Sequence, residues 1–236
     1  MLSREWNAFL LIRKNTAFIL KHVSRVLVFD LDGTISDPVT GICRSMNYSL
    51  AAFGYPEVTE RETGRYIGPP IECSFKEIMG ETSDERIAEI IARFRERYGR
   101  AGYAENTLYP GVSESIRALA GRGIALGVCT SKRADFAEKI LELFGLRDSF
   151  LFVSGGDIGI RKADQLGGLL AEGRIDRTAV MIGDRAVDIL AARANGISSV
   201  GVLWGYGSRK ELQDAGPGKI LERPEQLAEL VPVREG

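Results

Sequence analysis

The amino-acid sequence predicts an α/β fold: a doubly wound, Rossmann-like parallel sheet with an all-helical domain inserted after its first strand. From Val26 onward, short runs rich in β-branched residues alternate with segments of helical period. The runs lack a clean alternation of apolar and polar residues, which is typical of strands buried between two layers of helices. One long interval, 38–105, contains helical patterns but no convincing strand.

Five segments are the predicted strands of this sheet: VLVFDL at 26–31, IALGVC at 124–129, FLFVS at 150–154, AVMIG at 179–183 and SVGVL at 199–203. Between them, apolar residues recur at spacings of three and four, which predicts helices. One such set is Val112, Ile116 and Leu119, and another is Phe136, Ile140, Leu141 and Phe144. This alternation of strand and helix predicts a doubly wound core.

The interval 38–105 is predicted to be a helical domain inserted into an α/β core of residues 25–37 and 106–236. It is far longer than the loops that normally join α/β units. Its apolar residues recur at helical spacing, as in the set Ile87, Ile90, Ile91, Phe94 and Tyr98. The run Gly68-Pro69-Pro70 fixes a turn within the interval, which either joins two helices or faces a substrate.

Residues 1–24 are predicted to form an amphipathic N-terminal extension. Arg13, Lys14 and Asn15 divide its apolar residues, so neither half reaches the ~20 apolar residues that a membrane-spanning helix needs. No small-residue cleavage site follows a signal-like core. A helix packed on the domain, or an overlong start, is favoured over a membrane role.

The composition excludes several classes of protein. With 31 basic and 32 acidic residues the net charge is −1, so no global field would attract nucleic acid or an anionic membrane. The cysteines Cys43, Cys73 and Cys129 form no C-x-x-C pair, which favours a reducing, cytoplasmic location. The single histidine, His22, precedes every motif described below, which strongly disfavours a serine–histidine triad or a histidine-rich metal site.

The first candidate motif is Asp30 and Asp32, at the end of the first predicted strand. Their side chains point to the same side because the side-chain period of a strand is two. Ligands of open α/β sheets bind at this carboxyl edge, and two neighbouring acids there repel unless a cation or a shared proton intervenes. Oxygen ligands of this kind suit Mg²⁺, although acidic residues also commonly follow strands as turn residues. Asp37 fits a simpler role as the cap of the helix after Pro38.

Three further motifs follow predicted strands or begin helices. Thr130 and Ser131 either cap the next helix or bind phosphate oxygens. Lys162 either neutralises a phosphoryl group or is solvated. Asp184 and Asp188, at i and i+4, can lie on one side of a helix's first turn and act together. Alternatively, their negative charges only stabilise the N-terminus of that helix. Because all four motifs supply groups for a Mg²⁺-bound phosphoryl centre, their coincidence favours chemistry.

These motifs, in order and spacing, resemble those of the haloacid dehalogenase-like hydrolases, in particular their phosphatases. They are Asp30-x-Asp32-Gly33-Thr34, Thr130-Ser131, Lys162 and Gly183-Asp184-x-x-x-Asp188, and the similarity covers about residues 25–232. The resemblance implies a Rossmann-like core with a helical cap over 38–105, which would exclude water and contact the leaving group. One departure from the family pattern is Ala163 after Lys162, where proline is common.

The resemblance also implies roles for the individual residues. Asp30 would be the nucleophile and Asp32 the general acid/base. Mg²⁺ would be held by Asp30, Asp184 and the Asp32 carbonyl, with Asp188 in its outer shell. The equatorial phosphate oxygens would contact Thr130, the Ser131 amide and Lys162.

The implied function is a Mg²⁺-dependent phosphatase that hydrolyses a small-molecule phosphomonoester through an aspartyl-phosphate. The segments IGPPIECSF, YPGV and GDRAVD most resemble the phosphoglycolate phosphatase-like branch, which includes 5'-nucleotidase-like members. Arg44, Arg65 and Arg185 either meet a second anionic group of the substrate or are solvated. A monomer and a homodimer are both compatible with the sequence.

Other functions remain as alternatives. A 5'-nucleotidase and then a phosphomutase would keep all four motifs. A phospho-accepting, receiver-like signalling domain also combines Asp, Thr or Ser, and Lys, but it is shorter and lacks a large helical insertion. A dehalogenase of the same fold lacks the acid at the position of Asp32. Chain length and the presence of Asp32 therefore disfavour a receiver domain and a dehalogenase, and a phosphatase is preferred over a phosphomutase.

Overall fold

The computed structural model describes residues 25–231, which form a six-stranded sheet of order β5-β4-β1-β6-β7-β8 and an attached helical region. Every neighbouring pair in this sheet is parallel. Its strands are β1 (Leu27–Phe29), β4 (Leu126–Thr130), β5 (Phe152–Gly155), β6 (Val180–Gly183), β7 (Ser198–Val202) and β8 (Lys219–Leu221). Two further strands, β2 (Ser36–Asp37) and β3 (Thr107–Leu108), form a separate antiparallel ribbon.

The α-helices of this part of the chain are α1 (Val39–Ala52), α2 (Glu60–Thr63), α3 (Ile71–Met79), α4 (Asp84–Arg100), α5 (Val112–Gly121), α6 (Ala134–Leu143), α7 (Lys162–Ala171), α8 (Ala186–Ala194) and α9 (Arg209–Ala215). Short 3₁₀ segments lie at Gly64–Tyr66, Gly102–Glu105, Arg147–Ser149 and Pro224–Leu230. Among residues 25–231, no helix combines the length and apolar composition needed to cross a membrane. The predicted extension, residues 1–24, lies outside the described residues.

Helices cover both faces of the sheet, as the sequence predicts. Leu27 and Phe29 of β1 pack on one face with apolar residues of α5 and α6. Val28 points to the other face and packs with residues of α7 and α8, including Leu166 and Ala192. Because both faces are buried, the strands carry no polar alternation. The doubly wound α/β prediction is confirmed.

The five predicted strands all occur, within one or two residues of their predicted limits. The sequence did not reveal β8, which is three residues long and lies at the sheet edge beside β7. Only Leu221 of β8 is buried, so the strand has no apolar run that could indicate it.

A helical region between β2 and β3 contains α1 to α4 and has its own apolar core. Within it, the ring of Tyr98 stacks on Phe94 with centroids 5.4 Å apart. The same ring meets Phe136 of α6 edge-on at 5.2 Å, which joins the helical region to the core. The proposed limits of the inserted domain, 38–105, agree with this layout and stay a prediction.

The chain enters and leaves the helical region at one place. Ser36 pairs with Leu108, and Asp37 pairs with Thr107, in the β2–β3 ribbon. Asp37 also accepts a 2.9 Å hydrogen bond from the first amide of α1, at Val39, as expected for a helix cap. The ribbon fixes where the helical region begins and ends relative to β1.

Packing of the helical region predicts the effect of Gly41→Ala. A Cβ at Gly41 in α1 would lie 2.1 Å from the carbonyl oxygen of Gly102, so the backbone must shift. We expect a loss of about 1–3 kcal/mol in the free energy of unfolding, measured by urea denaturation. The matched control is Gly121→Ala in α5, whose Cβ would meet nothing within 4 Å. Equal stability of the two variants would contradict this packing.

Candidate active site

The carboxyl edge of the sheet brings together the residues that the sequence predicted to be functional. Asp30 follows β1, Thr130 ends β4 and Asp184 follows β6, on adjacent strands of the sheet. Lys162 is the first residue of α7, and Asp188 lies in the first turn of α8. All five side chains are buried. The motifs therefore meet at one edge of the sheet, as predicted.

A buried cluster of charges forms the floor of the site. Asp30, Asp184 and Asp188 each offer an oxygen within 4.8 Å of the others. The ammonium of Lys162 lies 2.9 Å from Asp30 Oδ2 and also donates a hydrogen bond to Asp188 Oδ1. When all are ionised, three carboxylates and one ammonium carry a formal charge of −2.

Burial and neighbouring carboxylates raise the pKa values of two carboxyl groups in the cluster. Burial, with the neighbouring Asp188 and Asp30 carboxylates, raises the pKa of Asp184 to about 8. Burial also raises the pKa of Asp188 to about 6, although Lys162 opposes the shift. Burial lowers the pKa of Lys162, but Asp188 and Asp30 outweigh it and hold that pKa above its usual value. An all-oxygen set of this charge fits a hard divalent cation.

Neighbouring groups hold the carboxylates in place. The hydroxyl of Thr34 donates to Asp184 Oδ1 at 3.2 Å, and the amide of Tyr206 donates to Asp184 Oδ2 at 2.8 Å. The Arg185 amide donates to Asp188 Oδ2 at 3.0 Å. Gly33 has a φ of 83°, and a Cβ there would lie 2.2 Å from Asp184 Oδ2. Glycine is thus required beside the Asp184 carboxylate.

Asp32 stands apart from this cluster. Its Oδ2 lies 2.8 Å from the ammonium of Lys132, and its Oδ1 is buried without a hydrogen-bond partner among residues 25–231. Burial raises the pKa of Asp32 even though Lys132 opposes the shift. The Asp32 carboxylate is not part of the three-carboxylate cluster. Its predicted contribution to a metal site, through the backbone carbonyl, stays a prediction.

A cleft lies between the sheet edge and the helical region, and Asp30 is the cluster residue that lines it. The core contributes Asp30, Asp32, Thr130, Ser131 and Lys132 to it. The opposite wall is mostly apolar or aromatic and comprises Ile42, Tyr66, Ile67, Gly68, Pro69, Pro70, Ile71, Glu72, Phe94, Arg95 and Tyr98. The Gly68-Pro69-Pro70 turn therefore faces the cleft, which favours the second of its two predicted roles.

The three arginines that the sequence indicated as possible anion ligands are engaged elsewhere. Arg44 pairs with Glu105, Arg185 pairs with Glu211, and Arg65 donates to the Tyr66 hydroxyl. Within the described chain, the arginines that line the cleft are Arg95 and Arg133. The sequence alone could not show which arginines line the cleft, because their positions depend on how the helices pack.

Sequence reasoning also missed Thr34, Tyr206, Lys132 and Tyr98 as parts of the site. Thr34 lies inside the first motif and could have been found there. Tyr206 acts through its backbone amide, which leaves no side-chain signal. Lys132 directly follows the Thr130-Ser131 motif, and Tyr98 was assigned only to a helix face.

Comparison with known proteins agrees with this geometry. A family model described as haloacid dehalogenase-like hydrolase matches residues 27–202. A 5'-nucleotidase from Pseudomonas aeruginosa is 38% identical over 191 residues, which span 79% of this chain and 86% of that protein. A phosphoglycolate phosphatase from Vibrio vulnificus is 30% identical over 218 residues, which span 88% and 96%. The chain therefore belongs to the haloacid dehalogenase-like hydrolases.

Solved structures show the same fold. A predicted phosphatase from Clostridium acetobutylicum superposes with a TM-score of 0.83 at 32% identity, covering 88% of this chain and 98% of that chain. Protein tyrosine kinase A from Mycobacterium tuberculosis superposes with a TM-score of 0.76 at 32% identity, covering 90% and 100%. Within its family the present chain is an enzyme of the phosphatase class, which acts on phosphate esters.

The charge cluster predicts how stability depends on pH and on divalent cations. Between about pH 4 and pH 8 the folded state keeps a proton on Asp184 that the unfolded chain has lost. The unfolded state therefore binds fewer protons, and in EDTA the free energy of unfolding should fall by on the order of a few kcal/mol as the pH rises through this range. Added Mg²⁺ should reduce this fall, because it favours the ionised carboxylates.

Asp184→Asn tests the origin of this slope. Denaturant unfolding at pH 5 and pH 8, with and without Mg²⁺, should show a flatter pH dependence in the variant and a much smaller response to the cation. A wild-type slope in Asp184→Asn would show that other groups cause it.

Proposed function

We propose that the protein is a Mg²⁺-dependent phosphatase that hydrolyses a small-molecule phosphomonoester through an aspartyl-phosphate on Asp30. One observation carries the proposal: Asp30 belongs both to the buried cluster with Asp184, Asp188 and Lys162 and to the lining of a cleft that also contains Asp32. This arrangement supports a nucleophile, a cation site and a proton donor that act on one phosphoryl group.

In the first step, the Asp30 carboxylate attacks phosphorus while the bond to the leaving oxygen breaks. Asp32 gives its proton to that oxygen, so that an alcohol leaves. The raised pKa of Asp32 supports this role, because it favours the protonated form nearer to neutral pH. In the second step, Asp32 takes a proton from water, which attacks the aspartyl-phosphate. Inorganic phosphate leaves and both carboxyl groups return to their starting states.

The remaining motif residues bind the phosphoryl group. Thr130, the Ser131 amide and Lys162 contact its equatorial oxygens, and the position of Thr130 and Ser131 in the cleft supports this. Asp30, Asp184 and the Asp32 carbonyl would hold Mg²⁺, which would neutralise charge on the phosphoryl oxygens. Asp188 accepts a hydrogen bond from Lys162 and would support the metal's outer shell.

The cleft walls favour a nucleoside 5'-monophosphate as substrate over 2-phosphoglycolate, which the sequence resemblance placed first. Aromatic and aliphatic side chains such as Tyr66, Ile71 and Phe94 suit a flat base. The arginines Arg95 and Arg133 are already paired with Asp157 and Asp135, which leaves them less available to a glycolate carboxylate. The similarity to a 5'-nucleotidase supports the same order.

2-Phosphoglycolate is the second candidate. It is supported by the similarity to a phosphoglycolate phosphatase along 96% of that protein's length. Phosphoryl transfer to an acceptor other than water, as in a mutase or a kinase, is distinguished by whether inorganic phosphate is released. A cytoplasmic location and a monomeric or dimeric state stay predictions of the sequence.

Phosphate release with Mg²⁺ tests the function directly. Across nucleoside 5'-monophosphates, 2-phosphoglycolate and sugar phosphates, we expect kcat/KM to be highest for a nucleotide, and EDTA to abolish turnover. Asp30→Asn should abolish turnover because no nucleophile remains, whereas Asp214→Asn, an exposed carboxylate on α9, should leave it unchanged. A folded protein that releases no phosphate from any of these esters would refute the proposal.

The role of Asp32 predicts a separate result. Asp32→Asn should slow turnover of an alkyl phosphate by about 10²–10⁴-fold, because proton transfer to the leaving oxygen is lost. With p-nitrophenyl phosphate, whose leaving group needs little protonation, the same variant should accumulate phosphoenzyme, measured by quench and mass spectrometry. Wild-type kcat in Asp32→Asn would contradict the assigned role.

A further inference from the structure

Lys132 is a buried ammonium that the proposed mechanism does not use. It lies in the loop between β4 and α6, with a side chain that is 7% exposed. Its Nζ lies 2.8 Å from Asp32 Oδ2 and donates a 2.6 Å hydrogen bond to the Tyr98 hydroxyl. A lysine held this way has little freedom to reach a substrate.

The Tyr98 hydroxyl is itself fixed from the other side. It accepts a hydrogen bond from Asn106 Nδ2 at 3.2 Å, and Asn106 Oδ1 accepts one from the Ser36 hydroxyl at 3.2 Å. The Ser36 carbonyl in turn accepts from the Gly33 amide at 2.9 Å. The series of contacts thus ends at Gly33, the residue directly after Asp32. Together with the Lys132–Asp32 ion pair it forms a closed ring of interactions.

This network leaves the two oxygens of Asp32 unequal. Oδ2 is tied to Lys132, whereas Oδ1 is buried and has no partner within residues 25–231. A charge-assisted hydrogen bond at one oxygen limits rotation of the carboxyl group. Because Asp32 lines the cleft, the contact of Oδ2 with Lys132 fixes the orientation in which the carboxyl group meets the leaving group or water.

We infer that Lys132 is a positioning residue for Asp32, and that Tyr98 of the helical region holds Lys132 in place. The inference rests on the proposed function, in which Asp32 is the acid/base. In this role Lys132 acts through Asp32: it holds one carboxyl oxygen and so keeps the Asp32 carboxyl group in one orientation beside the cleft. Proton transfer by Asp32 thereby depends on a side chain of α4.

Lys132→Met tests this because it removes the ammonium and keeps most of the side-chain volume. In rapid-quench experiments, formation of the aspartyl-phosphate from an alkyl phosphate should slow by about 10–100-fold, with KM nearly unchanged. Formation from p-nitrophenyl phosphate should slow much less. In the Asp32→Asn background, Lys132→Met should cause no further loss, because its effect acts through Asp32.

Two other variants serve as partner and control. Tyr98→Phe removes only the hydroxyl and should give a smaller loss of the same pattern; it also tests the inference if Lys132→Met does not fold. The control is Lys139→Met: Lys139 is an exposed lysine of α6 whose Nζ lies 5.4 Å from the Tyr103 ring centroid, without contact to Asp32. Its kinetics should match the wild type.

A readout without catalysis separates this inference from the proposed function. With ¹³C-labelled aspartate, the Asp32 carboxyl signal in NMR should shift in Lys132→Met and not in Lys139→Met, whether or not any ester is hydrolysed. An unshifted signal would overturn the inference. A loss confined to KM, or an equal further loss in the Asp32→Asn background, would also overturn it and assign Lys132 to phosphate binding.

Discussion

The burial of three carboxylates around one lysine is the constraint on which the rest of this structure depends. Asp30, Asp184 and Asp188 lie where strand ends and helix starts leave backbone amides free, and Lys162 offsets only part of their charge. Such a cluster is costly without a cation. The glycine beside Asp184, the hydroxyl of Thr34 and the amide of Tyr206 all serve to keep these charges in fixed positions.

The helical region adds a second layer to this arrangement. It supplies the apolar wall of the cleft, and Tyr98 of α4 reaches across to Lys132 and packs on Phe136 of the core. In the proposed function, the charged cluster binds the phosphoryl group, and the apolar wall contacts the group to which the phosphoryl is attached. Asp32 lies where the two meet.

Much of this could be predicted from the sequence, for physical reasons. Buried strands show as apolar runs, and acids at the ends of neighbouring parallel strands share one edge of the sheet, which is why the sequence predicts that Asp30 and Asp184 lie close together. The edge strand β8 is too short to leave a pattern. The partners of Lys132 and Arg95 depend on how helices pack across the cleft, which no local spacing records. The contact of the Tyr206 backbone amide with Asp184 could not be predicted, because nearly every residue carries a backbone amide.

The paired strands Ser36–Asp37 and Thr107–Leu108 have a consequence for how such proteins diversify. The chain leaves the α/β core through one of these strands and returns through the other. The helices between them are therefore, in topology, a long insertion into an intact sheet. The intervening helices could be exchanged as a module between related chains while the charged floor keeps its geometry. Substrate choice and bond-breaking chemistry would then evolve on separate stretches of sequence. The contact of Tyr98 with Lys132 would have to be kept in such an exchange.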